Sequence, residues 1–197
     1  MSVLLAMFSF SLAMSITPGP VNMIILSSAI NYGFKKTMPY VAGANIGFLL
    51  LLLAVGFVLE QFIQAYPIFL NYLAIGGSLY IVYMGYKIAI SKPTIEIKEI
   101  NIPKFHEGFL LQWLNPKAWI AAVSGISIFA SVDSYGPLLI FITIYFFVCY
   151  ASLLIWAFVG DKVSILLNNP FRLRIVNIAM GLLLIITALY LCYSHFT

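Results

Sequence analysis

The chain has 197 residues, of which 63% are hydrophobic and only 8% charged, with a mean hydropathy of +1.06; soluble domains carry about 25% charged residues. That composition excludes an ordinary soluble domain. The net charge of +4 gives no sign of a nucleic-acid partner, because the basic residues are not interleaved with aromatic stacking platforms.

In chain order, residues 1–34, 38–59, 65–86, 108–132, 135–160 and 175–196 are nearly free of charge. Each is long enough to cross a bilayer, whose hydrocarbon core takes about 20 residues of helix. They are continuous apolar runs and lack the alternation of outer-membrane barrel strands. The expected fold is an all-α integral membrane protein with six transmembrane helices.

The first segment contains "SITPGPVNMIILSS" at 15–28. Pro18 and Pro20 lack the N–H that would close a helical ladder, so a continuous helix through 17–22 is not expected. A cleaved signal peptide would need a basic stretch at its start, and none is present; a re-entrant hairpin turning at Pro18 is the other alternative. The second segment carries Gly43 and Gly47 with Asn45 between them, a G-x-x-x-G spacing that lets helices approach closely. The approach is either within one protomer or between two in a homodimer.

The third segment ends in "GGSLYIVYMGY" at 76–86, and a polar connection follows at 91–107, where charge alternates with isoleucine over 95–102. This stretch is expected to be a solvated linker with some local strand or helix character. The fourth segment is interrupted by "LNPKAW" at 114–119. The sixth ends in "GLLLIITALY" at 181–190.

Charge placement sets the orientation. Lys35 and Lys36 lie in the first connection, Lys87, Lys92, Lys98 and Lys104 in or beside the third, and Lys162, Arg172 and Arg174 in the fifth. The second and fourth connections and both tails contain no Lys or Arg. By the positive-inside rule the odd connections are cytoplasmic and both termini face outward, in the inner (plasma) membrane.

The linker divides one transmembrane domain, 1–197, into repeats at about 1–90 and 108–197. Three spans in each half mean that related halves are inverted. The matching proline interruptions in the first and fourth spans support two inverted three-helix repeats, both opening with a helix broken at Pro. Breaks in hydrocarbon survive where they are buried in protein or line a wet cavity, so these two point to a substrate site near the midplane.

Lys117 is the one basic residue well inside a span, and no Asp or Glu occupies a span interior. A charge there costs about 2.5–3.5 kcal/mol on insertion scales. Four outcomes remain open for it: neutrality, a reach to Asp161 or Glu107, a substrate carboxylate as partner, or snorkelling to the cytoplasmic interface. Asn22, Asn45, Gln112 and Asn115 are amides in or near the same region, able to donate to a carboxylate and accept from an ammonium. Trp156, Tyr80, Tyr83 and Tyr150 are candidate pocket aromatics. Cys149 and Cys192 are expected to be packed thiols, and His106 and His195 lack partners at metal spacing. No metal or cofactor is expected.

"ITPGPVNMIILSSAINYGFKKTMPYVAGANIGF" at 16–48 and "GFLLQWLNPKAWI" at 108–120 resemble the two signatures of the LysE/RhtB amino-acid exporters. "GGSLYIVYMGYKI" and "WAFVGDKV" are similar to the family as well, so the resemblance covers essentially the whole chain. It implies secondary export of amino acids powered by the proton-motive force. By resemblance the substrate-binding candidates are Thr17, Pro18, Gly19, Pro20, Asn22, Gln112, Asn115, Pro116 and Lys117, to which the amide argument adds Asn45. Lys117 and Asp161 are the candidate proton carriers. The absence of an intramembrane carboxylate favours a small neutral substrate, and "LSSA" after the first signature is most similar to the group exporting cysteine and O-acetylserine. Export of basic amino acids, a membrane thiol oxidoreductase and a channel are the rival readings. An oxidoreductase would need cysteines in the broken spans, and a channel would show rings of like polar residues.

Overall fold

The computed structural model of the chain describes residues 3–59, 68–90, 102–131, 134–166 and 169–196. Among the described residues it is all-helical. The helices are α1 (Val3–Ile16), α2 (Pro20–Tyr32), α3 (Phe34–Ala54), α4 (Ile68–Ile90), α5 (Phe105–Leu114), α6 (Pro116–Phe129), α7 (Gly136–Leu166) and α8 (Pro170–Phe196), and a π-helical turn, Val55–Leu59, extends α3. Both proline interruptions fall where the sequence places them. Pro20 and Pro116 each open a helix at its first position, where a missing N–H costs nothing and the fixed φ suits the helix.

Among the described residues three helices are long and apolar enough to cross a membrane, Phe34–Val58, Gly136–Ser164 and Phe171–Tyr190, and α1 with α2 makes a fourth candidate as a pair bent by 57°. The helices carry apolar residues on their exposed as well as their buried faces: Leu79, Phe147, Ile186 and Leu189 are exposed, while Leu51, Ile81, Phe141 and Leu184 are wholly buried. Lipid tails solvate the first set as readily as protein packs the second.

The packing crosses between the halves. α3 packs along α5, and α7 packs along both α1 and α2, so the middle helix of each half lies on the broken helix of the other; α4 packs along α8. Gly43 and Gly47 are used inside the chain, since a Cβ at Gly43 would overlap the Phe105 carbonyl and one at Gly47 would stand 2.8 Å from Phe109 O. Gly108 presses reciprocally on the backbone at Tyr40. At the end where α2 turns into α3, Gly33 adopts φ +84°, and Ser28 and Thr37 share a hydroxyl hydrogen bond of 2.9 Å. Asn31 and Asn177 join α2 to α8 by a reciprocal amide pair, Nδ2 to Oδ1, at 2.8 and 3.1 Å. Lys87 of α4 meets Glu107 of α5 at 3.5 Å. The linker at 91–101, with Lys92 and Lys98, and the second connection at 60–67 lie outside the described residues.

α4 comes close to the second break at Gly77. A Cβ at Gly77 would overlap Leu114 O and stand 3.2 Å from Pro116 Cδ, while one at the adjacent Gly76 would meet nothing within 4 Å. Backbone carbonyls cannot swing aside as side chains do. Gly77→Ala should therefore lose on the order of 1–3 kcal/mol of stability, read as a lower melting temperature in detergent and lower membrane abundance, whereas Gly76→Ala should leave both unchanged.

Candidate functional site

The two breaks converge. A helix ending in hydrocarbon leaves its last four carbonyls without intrahelical donors, each costing several kcal/mol if left dry. For α1 every one of them has a partner. Thr17 Oγ1 donates to Ala13 O (2.8 Å) and Met14 O (3.3 Å), Asn22 Nδ2 to Ser15 O (2.9 Å), and Trp156 Nε1 to Ile16 O (3.2 Å). The carbonyls of the break itself are held as well. Thr17 O accepts from Asn22 Nδ2 at 3.0 Å and from Lys117 Nζ at 2.7 Å. Lys117 Nζ also reaches Thr17 Oγ1 at 2.9 Å and Pro18 O at 3.4 Å.

In the structure Lys117 bonds to oxygens of the first break, partners that the sequence reading did not name. Its ammonium lies against the carbonyl end of α1, where the helix dipole favours a cation. Gly19 makes the room, because a Cβ there would stand 3.0 Å from Lys117 Cδ and 3.1 Å from Nζ. Each position of "TPGP" acquires a physical task. Thr17 supplies a hydroxyl and a carbonyl, Pro18 a second carbonyl, Gly19 the space, and Pro20 the start of α2.

The second break is closed differently. Asn115, extended ahead of Pro116 as a residue before proline must be (φ −95°, ψ 108°), caps α6 through Oδ1 to Lys117 N at 3.2 Å. The α5 carbonyls are met by Asn115 N on Gln112 O at 3.4 Å and by Trp119 Nε1 on Trp113 O at 2.7 Å. The amino end of α2, by contrast, begins at Gly19 with no side-chain cap. It is the open pole of the site.

Between the breaks lies a cavity of about 40 Å³ lined by Ser15, Gly19, Asn22, Gln112, Asn115, Lys117, Phe48, Tyr145 and Cys149, with Met14, Val21, Ala118, Ala121 and Leu153 completing the wall. It is roomy enough for ordered water but far below the roughly 300–1,000 Å³ of a small-molecule pocket. Ser15 Oγ is buried there beside Tyr145 and Cys149. Beside the cavity Phe10, Phe129, Phe141 and Tyr145 pack ring to ring at 5.0–6.2 Å, and Tyr145 meets Phe48 at 4.7 Å.

Of the residues singled out from the sequence, Gly19, Asn22, Gln112, Asn115 and Lys117 line the cavity. Thr17 and Pro18 touch Lys117 across the break, and Pro20 and Pro116 open the flanking helices. Asn45 does not join them: it is buried on α3, its Oδ1 has no partner, and it is absent from the cavity wall. Asp161 is elsewhere too. Its Oδ1 accepts from Phe34 N at 2.9 Å at the start of α3, in a second, open cavity with Tyr32, Lys35, Lys36 and Phe158. Trp156 contributes through its indole N–H, but Tyr83 and Tyr150 are exposed and Tyr80 is not in the wall. Ser15, Tyr145 and Cys149 were not anticipated. The signal for the last two was the spacing Tyr145, Cys149, Leu153, which at i, i+4, i+8 puts all three on one helix face. No group of three metal-ligating side chains occurs among the described residues.

The LysE type translocator family matches residues 12–195. The chain is 30% identical to a cysteine/O-acetylserine efflux protein of Escherichia coli O139:H28 (strain E24377A / ETEC), over 98% of both chains. It is 29% identical, again over 98% of both chains, to proteins of the same description from Escherichia coli (strain K12) and Shigella sonnei (strain Ss046). No solved structure matches it. With its apolar helices and its two breaks meeting at a buried polar cavity, the chain belongs to the LysE type translocator family and is a multi-pass membrane transporter, not an enzyme.

Proposed function

We propose that the chain exports small neutral amino acids or their derivatives, such as cysteine, O-acetylserine, homoserine or threonine, by alternating access driven by the proton-motive force. The observation that carries this reading is Lys117 Nζ bonded across the two breaks to Thr17 and Pro18, over a cavity lined by the amides of Asn22, Gln112 and Asn115. A zwitterion needs a cation and donors for its carboxylate and oxygen acceptors for its ammonium, and this set provides both. The uncapped start of α2 adds a partial positive charge. Among the described residues no carboxylate lines the cavity, so a substrate with a basic side chain finds no counter-charge among them, which favours neutral substrates over basic ones. The cysteine/O-acetylserine efflux proteins similar over the whole chain point the same way.

The architecture we assign is six spans in two inverted three-helix repeats. The reciprocal packing of α3 on α5 and α7 on α1 supports it. Both termini face outward in the plasma membrane, as the Lys and Arg distribution favours. Asp161 and Lys117 remain the candidate proton carriers.

Inside-out vesicles with an imposed pH gradient should accumulate labelled cysteine or O-acetylserine in a protein-dependent way, and a protonophore should collapse the accumulation. Lys117→Gln should lower the initial rate at least tenfold at near-normal membrane abundance. Lys117→Arg should be impaired as well, because a planar fork cannot take three acceptors crowded around the Gly19 space. Wild-type rates in both variants would remove Lys117 from the site. For orientation, single cysteines at Lys104 and Tyr135, both exposed, in a background lacking Cys149 and Cys192 should label from opposite sides. Tyr135→Cys should react with an impermeant reagent in whole cells, and Lys104→Cys only after permeabilisation.

A further inference from the structure

Lys117, on the cavity wall, already spends its ammonium on oxygens of the first break that stand behind it, outside that wall. The three oxygens around Lys117 Nζ, Thr17 O, Thr17 Oγ1 and Pro18 O at 2.7, 2.9 and 3.4 Å, are the kind of acceptor set that an amino acid's own ammonium requires. Among the described residues no acid lines the cavity to offer a substrate's ammonium an alternative, and Lys117 is the one cationic side chain there for a substrate carboxylate. With Lys117 in place the remaining space is about 40 Å³, too little for an amino acid. The same carbonyls cannot serve two ammonium groups, and Lys117 cannot hold a carboxylate while all three of its N–H donors are spent on α1.

We propose that Lys117 stands in for the substrate's ammonium group in the empty carrier. The arriving zwitterion exchanges with it: the substrate's ammonium takes Thr17 O, Thr17 Oγ1 and Pro18 O, and Lys117 turns to the substrate's carboxylate. The inference rests on the amino-acid reading above and deepens it. Net charge in the cavity is the same before and after the exchange, since a zwitterion adds none, and the carbonyl end of α1 never faces the cavity without a cation. Ser15 Oγ, buried on the wall beside Tyr145 and Cys149, is a further polar group that the incoming ammonium meets. Selectivity follows from the same geometry. A simple amine brings no carboxylate to draw Lys117 away, so it cannot compete for the seat.

The test uses purified full-length protein in detergent, melted in increasing ethylammonium chloride with sodium chloride at matched ionic strength as control. The wild-type protein should respond no more to ethylammonium than to sodium. Lys117→Gln and Lys117→Met, whose side chains are neutral and of similar length, should gain a saturable rise in melting temperature, half-complete at a concentration at least tenfold below any wild-type response. Equal responses in wild type and variants would overturn the proposal. So would failure of both neutral variants to accumulate as folded protein, since Lys117 would then be a fixed structural pin. Ethylammonium is not an amino acid, so the two readings fail separately. A seat opened by Lys117→Gln without amino-acid uptake in vesicles removes the export reading, and uptake without a seat removes this one.

Discussion

The constraint on which the rest depends is that α1 stops at the break and its last carbonyls need donors. The break cannot supply them, because two of the four residues of "TPGP" are prolines without an N–H. Apart from Thr17 and Asn22, the donors come from the other half of the chain: Trp156 on α7 and Lys117 on α6. Joining the breaks is therefore not an optional contact between two kinked helices. It completes the cover of the first break's carbonyls, and a net worth of about 0.6 kcal/mol for a typical interhelical hydrogen bond in a membrane understates what losing several at once would leave exposed.

The same arrangement explains how a lysine survives in the interior without an acid. A cation alone at the bilayer centre is costly, and a carboxylate partner would neutralise it permanently. Backbone carbonyls offer something weaker and more exchangeable: partial charges aligned by a helix, fixed in space, with no proton to take up. α4 bears on the second break from the far side through Gly77, so the seat of Lys117 is braced by packing as well as by hydrogen bonds.

Much of this was legible in the sequence, for physical reasons that can be named. Proline removes a donor wherever it stands, so both breaks could be placed to the residue, and a lone Lys in an apolar run has to find something. What it finds could not be read, because carbonyl oxygens belong to every residue and carry no letter of their own. The G-x-x-x-G at Gly43 and Gly47 announced a close approach, but the partner is the backbone at Phe105 and Phe109, equally silent in the sequence. Asn45 drew attention for being polar, yet it stands apart from the cavity wall, because a spacing argument along α3 does not say which face meets α5 and which meets the cavity. Tyr145 and Cys149 were not placed at the site for the opposite reason: their spacing with Leu153 marks one face of α7, but on a helix apolar all round nothing says that this face is the inner one.

The hydrogen bond from Lys117 to Thr17 spans 100 residues of chain, and that from Trp156 to Ile16 spans 140. During synthesis at roughly 5–20 residues per second, the first break exists for on the order of 5–20 s before the lysine that will hold its carbonyls has been made. In that interval Asn22 and Thr17 can cover only part of it, and water or the insertion machinery has to supply the rest. The first half of this protein thus enters the membrane as an unfinished site, and its wettest point is kept waiting for a side chain from the second.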